Sequence, residues 1–166
     1  MTVADIGSGG GAKTVVLGKW IGSGRVYATD ITEHALRWTR DSVQKEGLTN
    51  VTVLEGAADR TNLPPQCCEA MFMFDVYHHI TEVEAFNKSL YQSLKPGGRL
   101  AIIDFRPRAG SKLFPGVPAN RGGHGIQPSL VEEELKAAGF THVQTVESWP
   151  GDNKKSVLFL VLFTKP

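Results

Sequence analysis

Residues 3–11, Val-Ala-Asp-Ile-Gly-Ser-Gly-Gly-Gly, constrain the fold more than any other stretch of the chain. A short apolar strand runs through Asp5 into glycines at positions 7, 9 and 11, where the backbone can turn sharply and approach a ligand without a side-chain clash. The turn opens a helix predicted over Ala12–Gly18, whose first amides suit an anionic group. A second strand, Arg25-Val-Tyr-Ala-Thr-Asp30, ends on a carboxylate placed to accept hydrogen bonds from a ribose. The two features together point to a nucleoside-containing cofactor.

The rest of the chain alternates strand and helix signals, which predicts an α/β fold with a doubly wound, mostly parallel sheet of the Rossmann type. Strands are expected at Val3–Ile6, Val26–Asp30, Val51–Glu55, Ala70–Asp75 and Leu100–Asp104. Thr32 is expected to cap a helix to about Glu46, with Gly47 in the left-handed position after it. Thr81 with Glu84, and Ser129 with Glu132, read as capping boxes for two more helices, the first stopped by Pro96-Gly97-Gly98 and the second by Gly139. The ending differs. His142–Trp149 and Ser156–Phe163 flank the turn sequence Pro150-Gly151-Asp152-Asn153 and predict a C-terminal antiparallel hairpin. Phe105–Pro128 is rich in glycine and proline and carries Arg106, Arg108, Lys112 and Arg121 but no acid. So long a connection, leaving the ligand-binding edge of the sheet, reads as a lid, a binding loop or disorder. Its cations fit either an anionic substrate or a solvated face.

With 166 residues, of which 41% are hydrophobic, the chain is long enough for one cored domain over 1–166 and too short for two. A formal net charge of +1 gives no sign of a nucleic-acid partner. No apolar run approaches the ~18 residues of a membrane span, and no basic segment leads an apolar one as in a secretory signal. The cytoplasm and no membrane partner are the resulting expectations. The first strand starts almost at once, so a partner such as a second copy in a homodimer, later segments of this chain, or further chain ahead of it is expected to cover the sheet there. Cys67 and Cys68 are adjacent and form no disulfide framework. His34, His78, His79, His124 and His142 show no metal-type spacing, and no metal is expected. Trp20 and Trp149 read as core or edge packing.

These motifs, in this order, resemble the class I S-adenosylmethionine-dependent methyltransferases over nearly the whole chain. Asp5-Ile-Gly-Ser-Gly-Gly-Gly11 is similar to the family's first motif, and Asp30 to its ribose-binding acid. Gly56-Ala-Ala-Asp59 with Leu63-Pro64 is similar to the adenine segment, Asp75-Val-Tyr-His-His-Ile80 to the motif beside the methyl group, and Leu94–Leu100 to the helix-to-strand turn. The resemblance implies a cofactor site of Asp5, Gly7, Ser8, Gly9, Gly11, Asp30, Ile31, Ala58, Asp59 and Asp75. It implies S-adenosylmethionine as cofactor, S-adenosylhomocysteine as product and a small-molecule methyl acceptor. Family members usually carry a helix or two before the first motif, whereas here the first strand is expected from about Thr2.

Residue by residue, plainer roles stand beside these. Asp5 could simply cap its turn, and Asp59 could be a solvated loop residue. His78 and His79 suit a general base, needed where the acceptor must lose a proton, or structural imidazoles holding their loop. Tyr77 reads as a pocket wall. Two other functions fit parts of the pattern. Gly7, Gly9 and Ala12 satisfy a nicotinamide-dinucleotide fingerprint, although the C-terminal hairpin argues against an NAD(P)-dependent oxidoreductase. A non-catalytic interaction module on the same fold is the third reading.

Overall fold

The strand-forming runs pair into one seven-stranded sheet in the order β3-β2-β1-β4-β5-β7-β6. Its strands are β1 (Thr2–Ile6), β2 (Arg25–Asp30), β3 (Val51–Glu55), β4 (Cys68–Phe74), β5 (Leu94–Phe105), β6 (Thr141–Val146) and β7 (Leu158–Thr164). This computed structural model describes residues 1–150 and 157–166. The pairs among β1 to β5 are parallel, and β7 is antiparallel to both β5 and β6. The hairpin is therefore present, with β7 inserted beside β5 and β6 at the edge. Most of the turn read between them, Gly151–Asn153, and Ser156 lie outside the described residues.

Among the described residues four α-helices cover the sheet: α1 (Ala12–Trp20), α2 (Glu33–Lys45), α3 (Val83–Ser93) and α4 (Pro128–Ala137). α1 and α2 pack together and onto β2, while α3 packs on β5 and α4 on β6 and β7. Leu90, Leu100, Ile102, Val131, Leu135, Phe159, Val161 and Phe163 are all fully buried between these layers. Each such side chain contributes about 1.5–3 kcal/mol through removal from water. β1 has β2 on one side and β4 on the other. The chain thus reverses its winding at the carboxyl ends of β1 and β4, the place where open α/β sheets bind ligands. No helix among the described residues is long and apolar enough to cross a membrane.

Local expectations are met at α2 and revised elsewhere. Thr32 Oγ1 accepts from the Ala35 amide at 3.3 Å, and Gly47 has φ +64°. α3 starts at Val83 after Glu82, without a side-chain cap, so the Thr81–Glu84 box does not form. α4 starts at Pro128, whose fixed φ suits a first helical turn, so the Ser129–Glu132 box does not form either. Glu132 accepts instead from Thr145 on β6 at 2.7 Å. β5 begins at Leu94, not Leu100, and absorbs Pro96–Gly98 through a register shift opposite Cys68–Ala70. Cys67 and Cys68 are bonded to each other, closing a ring between neighbours that cross-links no distant segments. Trp20 is 87% exposed, against the expectation of packing. Trp149 lies edge-on to Phe74 with ring centroids 6.3 Å apart.

Candidate cofactor site

A cavity of about 280 Å³ opens at the switch point. Its wall comes from the ends of β1 (Ile6, Gly7) and β2 (Thr29, Asp30, Ile31), the turn after β3 (Gly56, Ala57, Ala58) and the segment after β4 (Val76, His79, Ile80, Thr81). Of the residues expected in a cofactor site, Gly7, Asp30, Ile31 and Ala58 line it directly, and His79 joins them.

Asp30 organises this mouth. Its Oδ1 accepts from the amides of Ile31 (2.8 Å) and Thr32 (3.1 Å) and from Thr32 Oγ1 (3.2 Å). Its Oδ2 accepts from the Gly9 amide at 3.0 Å. A carboxylate oxygen offers about two acceptor directions, so Oδ2 retains one for a ligand. The carboxylate both ties the glycine loop to the start of α2 and presents an acceptor at the cavity.

The loop is shaped by backbone conformation and close packing. Gly7 has φ +78°, and a Cβ there would stand 2.4 Å from a Val76 methyl. Gly7→Ala therefore carries the left-handed penalty of about 1–2 kcal/mol and displaces a cavity-lining valine. It should lower the melting temperature by several degrees, whereas Gly9→Ala, whose Cβ meets nothing within 4 Å, should lower it less. Equal melting temperatures for the two variants would contradict this packing. Ser8 is buried, with Oγ 3.1 Å from Thr39 Oγ1 of α2, so its side chain braces the loop. Gly11 caps α1.

Asp5 sits below the loop, 2% exposed, accepting from Thr14 Oγ1 at 2.6 Å. Burial is the main cause that pushes its carboxyl up to about 6; the neighbouring Asp30 adds to this, while Thr14 and Lys13 of α1 oppose it. The folded chain then holds a proton on Asp5 between about pH 4 and 6 that the unfolded chain has released. This stabilising contribution is complete below about pH 4 and is lost as the pH rises through 6. Asp5→Asn, neutral throughout, should melt above the parent at pH 7 but not at pH 4; the opposite order in thermal denaturation would refute the shift.

Asp59 lies beside the cavity wall with Oδ1 accepting from Arg60 Nε at 3.0 Å, and Arg60 itself lines the cavity. Asp75 follows β4 with φ +61°, exposed, its amide donating to Ile103 O at 2.9 Å. A short 3₁₀ turn, Tyr77–His79, comes next. His78 is buried, and its Nδ1 pairs with Asp104 Oδ1 at 2.8 Å while its amide donates to Asp104 Oδ2 at 3.1 Å. Asp104 was not foreseen as a site residue, yet it lies one residue from the end of β5, much as Asp30 closes β2. His79 is held below the ordinary histidine value, first by partial desolvation and then by the His78 and His124 rings, which favours its neutral form.

Tyr77 is not a pocket wall. It is fully buried, and its hydroxyl donates to Glu134 Oε2 at 3.0 Å and accepts from Asn87 Nδ2 at 2.7 Å. Arg121 is 1% exposed and pairs with Glu134 Oε1, and Arg106 pairs with Glu147. Two of the four cations of the 105–128 connection thus neither face solvent alone nor wait for a substrate. They fasten the connection to α4 and to the segment after β6.

Comparison with known proteins places this arrangement. Residues 4–102 match the family described as methyltransferase domain. A ubiquinone/menaquinone biosynthesis C-methyltransferase of Escherichia fergusonii is 30% identical over 106 residues, 63% of this chain and 42% of that protein. The chain thus spans less than half the length of that relative. The crystal structure of a SAM-dependent methyltransferase from Aquifex aeolicus superposes with a TM-score of 0.80 at 30% identity, covering all of this chain and 82% of that one. A phosphoethanolamine N-methyltransferase 2 from Haemonchus contortus, solved with S-adenosyl-L-methionine, shares the fold at 17% identity, with a TM-score of 0.76 over 100% of this chain and 49% of that one.

Proposed function

The chain belongs to the S-adenosylmethionine-dependent methyltransferase family, and on that premise we propose that it binds S-adenosylmethionine in the switch-point cavity and transfers its methyl group to a small-molecule acceptor, releasing S-adenosylhomocysteine. The observation that carries this reading is Asp30. One carboxylate binds the glycine loop through Gly9 and keeps an acceptor direction at the cavity. The open space above Gly9 leaves the loop's outer side clear for a ligand.

In this reading Asp30 Oδ2 accepts from a ribose hydroxyl, and Ile31 with Ala58 flanks the adenine. Asp59, with Oδ1 on Arg60, offers Oδ2 to the adenine amine. Gly7, Ser8, Gly9 and Gly11 shape the cradle for the methionine moiety, Asp5 underpins it, and Asp75 stands at its far side. The bound sulfonium supplies an already activated methyl group. The chain's own task is then to align the acceptor and exclude water. His79, neutral and on the cavity wall, is the residue placed to take an acceptor proton, and His78 braces it from the buried side.

The test is transfer itself. Incubation with methyl-labelled S-adenosylmethionine and panels of small thiols, phenols, quinols and amines should give S-adenosylhomocysteine in proportion to one acceptor class. Cofactor binding without turnover on any panel would put the non-catalytic module in its place.

A further inference from the structure

We propose that His78, His79 and His124 form a three-histidine site for a divalent transition metal, with zinc the best fit, at the acceptor side of the cofactor cavity. The three come from two separate segments, the 3₁₀ turn after β4 and the far end of the 105–128 connection, so no spacing in the sequence announces them. One ring nitrogen from each lies within 4.8 Å of the others. Zinc–nitrogen bonds of about 2.0–2.1 Å in a tetrahedron put ligand nitrogens about 3.4 Å apart. Small rotations of His79 and His124, which are not buried, close that difference around the fixed His78 ring.

His78 carries the strongest sign of a ligand. A carboxylate can only accept, so Asp104 fixes the hydrogen of His78 on Nδ1 and leaves a lone pair on Nε2. That Nε2 is buried and has no hydrogen-bond partner among the described residues. A carboxylate behind a ligating imidazole is the usual support that fixes its tautomer and orientation. Asp104 is itself fully buried and also accepts from the Phe105 amide at 2.8 Å, so its position is set by the backbone. Phe105 and Phe114 pack edge-on around the cluster, with centroids 4.8 Å from His78 and 4.6 Å from His79. An all-imidazole donor set suits zinc, copper or nickel and not magnesium or calcium.

Three protein ligands leave a fourth position, as in catalytic zinc sites. On the cavity side that position suits an anionic oxygen or sulfur of the methyl acceptor; with the metal bound His79 is a ligand and no longer a base, and the acceptor gives its proton to solvent as it binds the metal. This clause rests on the methyl-transfer reading, and the metal site does not.

The full chain, stripped with a chelator, is titrated with Zn²⁺ by calorimetry and with Co²⁺ by visible absorption. The expected result is one ion per chain and a cobalt spectrum of low coordination number. His124→Ala should weaken Zn²⁺ binding by more than about 100-fold, and Asp104→Asn by about 10- to 100-fold. A cooperative thermal melt and an unchanged far-ultraviolet circular dichroism spectrum confirm that His124→Ala is folded. Zinc bound equally well by His124→Ala belongs to other histidines, such as His34 or His142, and overturns the site, as does an absence of stoichiometric binding. Zinc binding without cofactor binding would leave the site standing and remove the methyl-transfer reading.

Discussion

Asp30→Ala should weaken S-adenosylmethionine binding by about 100-fold or more in calorimetric titration. The carboxylate accepts four hydrogen bonds, from Gly9, Ile31 and twice from Thr32, and the proposal adds a ribose hydroxyl on Oδ2. A hydrogen bond to a charged group contributes about 1.5–3 kcal/mol, and each ~1.4 kcal/mol is tenfold in affinity. Alanine removes the ligand's bond and also frees the glycine loop from α2, so both direct contact and preorganisation are lost. Asp30→Asn keeps the shape and one acceptor oxygen and should lose less. An alanine variant that binds as the parent does would remove Asp30 from the site.

Glu134→Ala should cost about 3–5 kcal/mol of stability, the usual penalty when one partner of a buried ion pair is removed. Arg121 is almost wholly buried and Glu134 is its one ion-pair partner among the described residues. The same carboxylate receives the Tyr77 hydroxyl, whose own ionisation burial pushes well above the ordinary tyrosine value, so it remains a donor. For a chain of this size each kcal/mol shifts the melting temperature by about 2–4 °C, which gives a fall of roughly 6–20 °C. Replacing both partners together, Arg121→Met with Glu134→Leu, should recover much of it, because the uncompensated charge disappears. A melting temperature for Glu134→Ala within a degree or two of the parent would mean that the network does not hold the connection to α4.

The mostly parallel α/β sheet, the helix on Thr32 and the antiparallel ending were legible because they rest on local signals: alternation, caps and turn residues. The helix starts at Val83 and Pro128 were misread because Thr81 and Ser129 carry the right residue types one or two positions from where packing begins the helix. The cofactor loop was legible for a similar reason, since Gly7 to Gly11 and Asp30 are strand-end features with fixed offsets. The acceptor side was not. Asp104 reaches His78 from β5, Glu134 reaches Tyr77 and Arg121 from α4, and His124 arrives through a connection with no regular period. Such contacts depend on tertiary closure, and no spacing in the chain encodes them.

The central claim is the identity of the cofactor, and a side-by-side thermal-shift titration with S-adenosylmethionine, S-adenosylhomocysteine and NAD(P)H tests it most directly. A ligand that binds only the folded chain, present at about 100 times its dissociation constant, adds about 2.7 kcal/mol of stability. The account predicts that both adenosyl sulfur compounds raise the melting temperature of the parent, that neither does so comparably for Asp30→Ala, and that the nicotinamide cofactors do nothing. Stabilisation by NAD(P)H, or by none of the three, would contradict it.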